Sequence, residues 1–171
     1  WIRLEGRPPN IEGKGEVTLS ALVKESLRMR PDRVVVGEIR DGNAAMDMLQ
    51  AMNTGHEGSM GTVHANSPRD CFTRIDGMVA IAGMKIDQQA VYSQIASALD
   101  LIVYQTRMRD GTRAVTQIAE ITGMEGNVIS MQDVFMRPAD AVGASVPLRP
   151  AGLIPNCYQR IIDSGQTLER G

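Results

Sequence analysis

The sequence predicts an α/β fold in which parallel strands flanked by helices are followed by an antiparallel β-meander and a short C-terminal helix. Three observations carry this prediction. Val34-Val35-Val36 is a continuous β-branched run that stops at Gly37-Glu38, the pattern of a parallel strand covered on both faces. Helical stripes stand on either side of that run. After Leu101 the pattern changes to extended runs broken by Asp110-Gly111 and Glu125-Gly126-Asn127, which are hairpin turn signals.

Taken in order, residues 6–16 combine Gly, Pro and Asn without apolar periodicity and read as a loop. Thr18 caps a helix whose apolar face is Leu19, Leu22, Val23 and Leu27, and Pro31 ends it by disfavouring helical geometry at Arg30. The Val strand follows. Asp41 to Asn43 cap a second helix with Ala45, Met48, Leu49 and Met52 on one stripe, stopped at Gly55.

Ser59 to Val63 reads as a second buried strand with His64 just past its end. Ser67 is a helix cap, with Pro68 at the first helical position and Asp70 facing the helix dipole. Cys71, Phe72, Ile75, Met78 and Val79 form the stripe of that helix. Asp87 caps a further helix that carries Val91, Ile95, Ala98 and Leu99 inward. Antiparallel strands are expected at 101–108, 113–122 and 128–135, one mixed sheet being completed with the parallel pair. Residues 137–155, rich in Pro and Gly, read as a connector to a short helix at Asn156 to Ser164. This organisation gives a main region, 1–136, and a connector with C-terminal helix, 137–171.

With 171 residues, 43% of them hydrophobic and 22% charged, the chain can bury a real core. A net charge of -2 excludes a broad basic footprint for nucleic acid but leaves room for a local basic strip. Cys71 and Cys157 are far apart, which suits a reducing compartment, the cytosol, better than a disulfide framework. No apolar stretch approaches the roughly 20 residues of a membrane-spanning helix.

Glu38 is the first candidate for chemistry, because ligands in open α/β sheets gather beyond the carboxyl ends of strands. Both histidines, His56 and His64, flank the second strand. If the two strands are parallel neighbours, His64 and Glu38 share an edge suited to a phosphate and its metal; the plain alternative is an ordinary core or surface imidazole. A zinc motif fails, since Met60 stands where H-E-x-x-H needs its second histidine. Gly13-Lys14 is no phosphate loop either, because Gly15 replaces the hydroxyl residue. Arg40 and Asp41 fit solvated helix-start charges. Arg74, on the helix after His64, could neutralise phosphate or orient Glu38, or pair with Asp70 or Asp76.

Residues Arg30 to Asp41, Gly55-His56 and Thr62-Val63-His64-Ala65-Asn66-Ser67 together resemble the Walker B and His boxes of the type II/type IV secretion ATPases. Arg7-Pro8-Pro9-Asn10-Ile11-Glu12-Gly13-Lys14-Gly15-Glu16 resembles the CpaF-type branch that assembles Tad (Flp) pili. The likeness covers about residues 1–136 well and the tail more weakly.

The resemblance implies a partial RecA-like P-loop NTPase core from a homo-hexameric ATPase that couples ATP hydrolysis to pilus assembly or secretion. It implies catalytic roles for Glu38, His64 and Arg74, nucleotide contacts from Gly37, Glu38, Arg40, His56 and His64, and Mg2+ held by Glu38 through water. It further implies a cytoplasmic protein held peripherally at the inner membrane by platform proteins, with no direct nucleic-acid partner. Gly37 takes the place of the Asp in the commoner Asp-Glu version.

The family's Walker A lysine and hydroxyl residue and its acidic Asp box are expected upstream of Trp1, so residues 1–171 alone are expected not to hydrolyse ATP. Two other readings compete: a non-catalytic interaction module derived from such an ATPase, and a type IV conjugative DNA-transfer ATPase. A partial sheet is expected to leave one face or edge with exposed apolar surface.

Overall fold

The structure, a computed structural model, describes residues 1–165. They form two compact units, divided after Ala98.

The first unit is built around helix α2 (Gly42–Asn53), which packs against α1 (Leu19–Arg28), α3 (Asp70–Ile81) and α4 (Gln88–Ala98). Its core is drawn from the predicted stripes, although Leu19, Leu22, Leu27, Met52, Cys71, Ala98 and Leu99 are only half-buried and Leu99 falls just beyond α4. Ala44, Ala45, Met48, Leu49 and Ala51 of α2 meet Val23, Phe72, Ile75, Met78, Val79, Val91 and Ile95, all buried. Thr18 caps α1 by accepting from the Ala21 N–H at 3.1 Å, and Asp41 caps α2 by accepting from the Ala44 N–H at 2.9 Å. Each satisfies a donor that the helix start would otherwise leave unpaired.

Three local expectations are corrected. The first concerns the Val run: only Val35–Val36 (β1) enters a ladder, paired in parallel with Met60–Gly61 (β2). Val34 and Val36 are buried while Val35 is 48% exposed, so the strand is covered on one face. The second is that β2 is not buried, Met60 being 58% exposed. The exposed apolar side chains of this two-stranded sheet are Val35 and Met60. The third is the start of α3, which is Asp70 with Arg69 at the cap. Ser67 Oγ still accepts from the Asp70 N–H at 3.1 Å, while the Asp70 carboxylate accepts from the Asn66 N–H at 2.9 Å. The capping chemistry is therefore as expected, but it closes a turn through Pro68 before the helix begins.

The second unit is a separate antiparallel sheet, not a continuation of the parallel pair, so the expected single mixed sheet is two sheets. Its order is β3 (Leu101–Arg107), β4 (Arg113–Glu125), β5 (Val128–Met136) and β6 (Arg149–Pro150). Gly126 has φ +61° at the first loop position of the β4–β5 hairpin, the conformation a two-residue turn needs there. The connector supplies an unpredicted fourth strand, β6, with Pro150 opposite Phe135 at the sheet edge where its missing N–H costs least. Helix α5 (Asn156–Asp163) begins at Glu120 of β4. That buried carboxylate accepts from the N–H groups of Asn156 and Cys157, both at 2.9 Å, and from Gln132 Nε2 at 2.8 Å. Burial raises the Glu120 carboxyl, and these donors outweigh it and hold it below the usual range.

At Gly42, α2 closely approaches the backbone of α3. A Cβ there would lie 2.4 Å from the Met78 carbonyl oxygen, a backbone atom that cannot swing away, whereas Gly77 on α3 has open space around it. Gly42→Ala is expected to destabilise the chain by about 1–3 kcal/mol through overpacking. Gly77→Ala is expected to leave it unchanged or add up to about 1 kcal/mol from helix propensity. Denaturant unfolding of the two variants separates these outcomes.

Candidate functional site

The parallel ladder delivers two side chains to one edge. The Val34 N–H donates to Ser59 Oγ at 2.9 Å, the Met60 N–H to the Val34 carbonyl at 2.9 Å, and the Ile39 N–H to the Thr62 carbonyl at 2.9 Å. The Thr62 hydroxyl donates to the Gly37 carbonyl. This register carries the chain past β1 to Glu38 and past β2 to His64, whose Nε2 lies 3.0 Å from Glu38 Oε1. The other carboxylate oxygen, Oε2, is paired with Arg40 Nη2. One acid is thus held by two cationic or cation-forming groups, one on each oxygen.

The hydrogen bond from Arg40 holds the Glu38 carboxyl below the usual glutamate range. Partial desolvation opposes this, and the charges of Arg40 and His64 add to it. Glu38 in turn raises Arg40. Arg40 and His64 are 78% and 88% exposed in their side chains, so solvent screens these pairs and they add little to the stability of the fold. Their geometry keeps an ionised carboxylate at the strand end.

Behind this edge lies a cleft of about 720 Å3 between the start of α2 and the flank of α3, lined among others by Arg40, Asn43, His64, Asn66, Thr73 and Arg74. Arg74 is exposed and forms no ion pair with Asp70 or Asp76. Its guanidinium is available to an anion entering the cleft.

Of the residues singled out in the sequence, Glu38, Arg40 and His64 meet, Arg74 lines the adjoining cleft, and Gly37 contributes its carbonyl to the ladder. His56 is not brought to them. It stands at the entry end of β2, where its half-buried ring donates from Nδ1 to the Ala51 carbonyl at 3.2 Å, near the end of α2. Its own carbonyl accepts from the Ser59 hydroxyl at 2.7 Å. Ser59 and Thr62 were not singled out, although both fix the register. A hydroxyl residue at each end of a short Gly-rich strand is the signal that marks them.

An acid and an imidazole thus meet at the carboxyl end of a parallel strand pair, beside a cleft lined by the exposed Arg74, in an α/β protein. A sequence profile of the Type II/IV secretion system protein family matches residues 3–144, and the chain belongs to that family. A "Putative conjugal transfer protein" of Mycobacterium tuberculosis is 46% identical over 127 residues, 74% of this chain and 35% of that protein. The conjugal transfer protein TrbB of Rhizobium radiobacter is 39% identical over 111 residues, 65% of this chain and 32% of that protein. Among solved structures, the VirB11 ATPase from the Brucella suis type IV secretion system, crystallised with sulphate, is 29% identical with a TM-score of 0.54, over 60% of this chain and 31% of that one. The chain spans about a third of the length of these relatives.

Because the folded Glu38 carboxyl is lowered, its paired state persists above the ordinary glutamate range and is lost as pH falls through the lowered value. Arg40→Gln is expected to move the Glu38 titration, followed through its side-chain 13C carboxyl resonance, toward higher pH. An unmoved titration would show that Arg40 does not hold the carboxylate.

Proposed function

We propose that this chain is the Walker B and His-box portion of a hexameric motor ATPase of the CpaF type, coupling ATP hydrolysis to Tad (Flp) pilus assembly or secretion at the inner face of the membrane. The observation that carries the reading is the contact of Glu38 with His64 across two parallel strands, beside a cleft edged by Arg74. In this reading the chain supplies the Walker B edge of a RecA-like core.

Glu38 is placed to accept a hydrogen bond from the attacking water, His64 to exchange its bond with Glu38 for one with the γ-phosphate, and Arg74 to offset phosphate charge. Both Glu38 oxygens already have partners, so the carboxylate suits a hydrated magnesium ion reached through water better than direct coordination. Magnesium bound with the nucleotide supplies positive charge over the phosphate oxygens. His56, remote from Glu38, supports α2 in this reading and does not touch nucleotide.

A conjugative DNA-transfer ATPase is the second reading, favoured by the conjugal transfer proteins among the relatives. The two readings share the site and differ in the machine. Deleting the gene is expected to abolish surface pili under the first and plasmid transfer under the second.

The sequence carries no G-x-x-x-x-G-K-[ST] loop, so residues 1–171 alone are expected to show no appreciable ATP turnover. In a protein that joins such a loop to this segment, Glu38→Gln is expected to cut turnover by about 10²–10⁴-fold with nucleotide affinity retained. Turnover that survives Glu38→Gln, or turnover by residues 1–171 that the substitution abolishes, would contradict the proposal.

A further inference from the structure

The antiparallel sheet of the second unit gathers arginine at one end. Arg107 closes β3, Arg109 lies in the turn, Arg113 opens β4, Arg137 follows β5 and Arg149 opens β6. The antiparallel alternation brings all five to the same end of the sheet. Arg107 and Arg113 are direct cross-strand partners, a juxtaposition of like charge that destabilises a sheet when nothing neutralises it. None of the five pairs with a carboxylate among the described residues.

The carboxylate of Asp110, in the same turn, is engaged with Thr112. Asp110 Oδ1 accepts from the Thr112 N–H at 2.9 Å and from the Thr112 hydroxyl at 2.6 Å. Its other oxygen lies so close to Gly143 that a Cβ there would be 2.1 Å from it. Two of the arginines donate to backbone. Arg107 Nε donates to the Gly111 carbonyl at 3.2 Å, and Arg137 donates from Nε to the Val115 carbonyl at 3.0 Å and from Nη1 to the Ala144 carbonyl at 3.2 Å. These bonds fix two guanidinium planes without neutralising them.

Between them is a cavity of about 240 Å3 lined by Thr106, Arg107, Arg109, Thr116 and Arg137 with adjoining backbone. That is smaller than the roughly 300 Å3 at which drug-sized ligand pockets begin. Oriented guanidinium forks, hydroxyl side chains and a small volume match a compact tetrahedral oxyanion, which can take bidentate hydrogen bonds from arginine. We infer that this end of the sheet is a binding site for a phosphate group, carried by a soluble phosphate ester or by a lipid headgroup, distinct from the Glu38–His64 edge.

The fixed arginines preorganise the site, and the uncompensated charge draws the anion in. The charge of Arg107, unfavourable opposite Arg113 in the free sheet, is offset once an anion is bound in the cavity that Arg107 lines. Binding is therefore expected to stabilise the second unit.

Residues 1–171 titrated with pyrophosphate are expected to show saturable amide shifts at Thr106–Arg109, Thr116 and Arg137–Ala141, separate from any at the Arg74 cleft. Phosphatidylcholine vesicles doped with phosphatidic acid are expected to retain the chain, and undoped vesicles to release it, if a lipid supplies the group; pyrophosphate binding without retention assigns the soluble source. Arg109→Gln, whose side chain has no hydrogen bond to lose among the described residues, is expected to weaken either interaction by about fivefold or more, and Lys85→Gln, which removes an exposed cation lining neither cavity, to leave both unchanged. Arg137→Lys checks fork geometry, since lysine retains charge but cannot reproduce the bidentate contact.

The inference is overturned if neither pyrophosphate nor doped vesicles bind. It is also overturned if sulfate and chloride produce the same shifts as pyrophosphate at equal ionic strength, or if single-stranded DNA binds and pyrophosphate does not compete with it.

Discussion

The parallel register between β1 and β2 is the constraint on which the candidate site depends. Four short bonds set it: Val34 N–H to Ser59, Met60 N–H to Val34, Ile39 N–H to Thr62, and the Thr62 hydroxyl to Gly37. A slip of one residue would turn Glu38 to the opposite face of its strand and separate it from His64. Because the ladder proper is two residues long on each side, side-chain hydroxyls do work that a longer sheet would leave to backbone. The turn that precedes β2 is fastened at the same time to α2, through His56 and the Ala51 carbonyl. Helix, turn and both strands therefore hold Glu38 in place jointly.

The second unit uses a different device. Its sheet is long and internally bonded, and the buried Glu120 ties the C-terminal helix to it by accepting from the first N–H groups of α5. A carboxylate at a helix start combines charge-assisted hydrogen bonds with the helix dipole. Acid use in the two units is opposite in character. Glu120 is enclosed and satisfied by groups that never leave, whereas Glu38 is held at the surface by partners that solvent or a ligand can displace.

Helices were the most legible part of the sequence because each carries an apolar stripe, and Ala45, Met48, Leu49, Phe72, Ile75, Met78, Val79, Val91 and Ile95 of those stripes are buried in the core. Strand pairing was less legible. Three consecutive valines announce a strand but not how many neighbours it has, and burial on both faces requires covering elements that Val35 and Met60 do not find. The start of α3 was displaced because Ser67 accepts from the Asp70 N–H while the Asp70 carboxylate accepts from Asn66, closing a proline turn whose composition is that of an ordinary helix start. Strand β6 was hidden by its proline, which is tolerated only because the strand lies at an edge. At the site, the meeting of Glu38 and His64 was legible once the strands were taken as parallel. His56 was not separable from His64 by composition, since only the direction of β2 decides which histidine reaches the acid. The arginine cluster was invisible as a motif because its members are spread over more than 40 residues and converge only when the meander folds.

Family membership is established over most of the chain, and the contact that gives it chemical meaning is the one the ladder creates. Amide hydrogen exchange at Met60 and Ile39 tests that ladder most directly. In the wild-type chain both amides are expected to be protected, and Ser59→Ala is expected to accelerate the two together while Ser59→Thr, which keeps the acceptor oxygen, retains protection. If both amides exchange in the wild-type chain as fast as those of an unstructured peptide, the register is not held and the Glu38–His64 site does not exist as described.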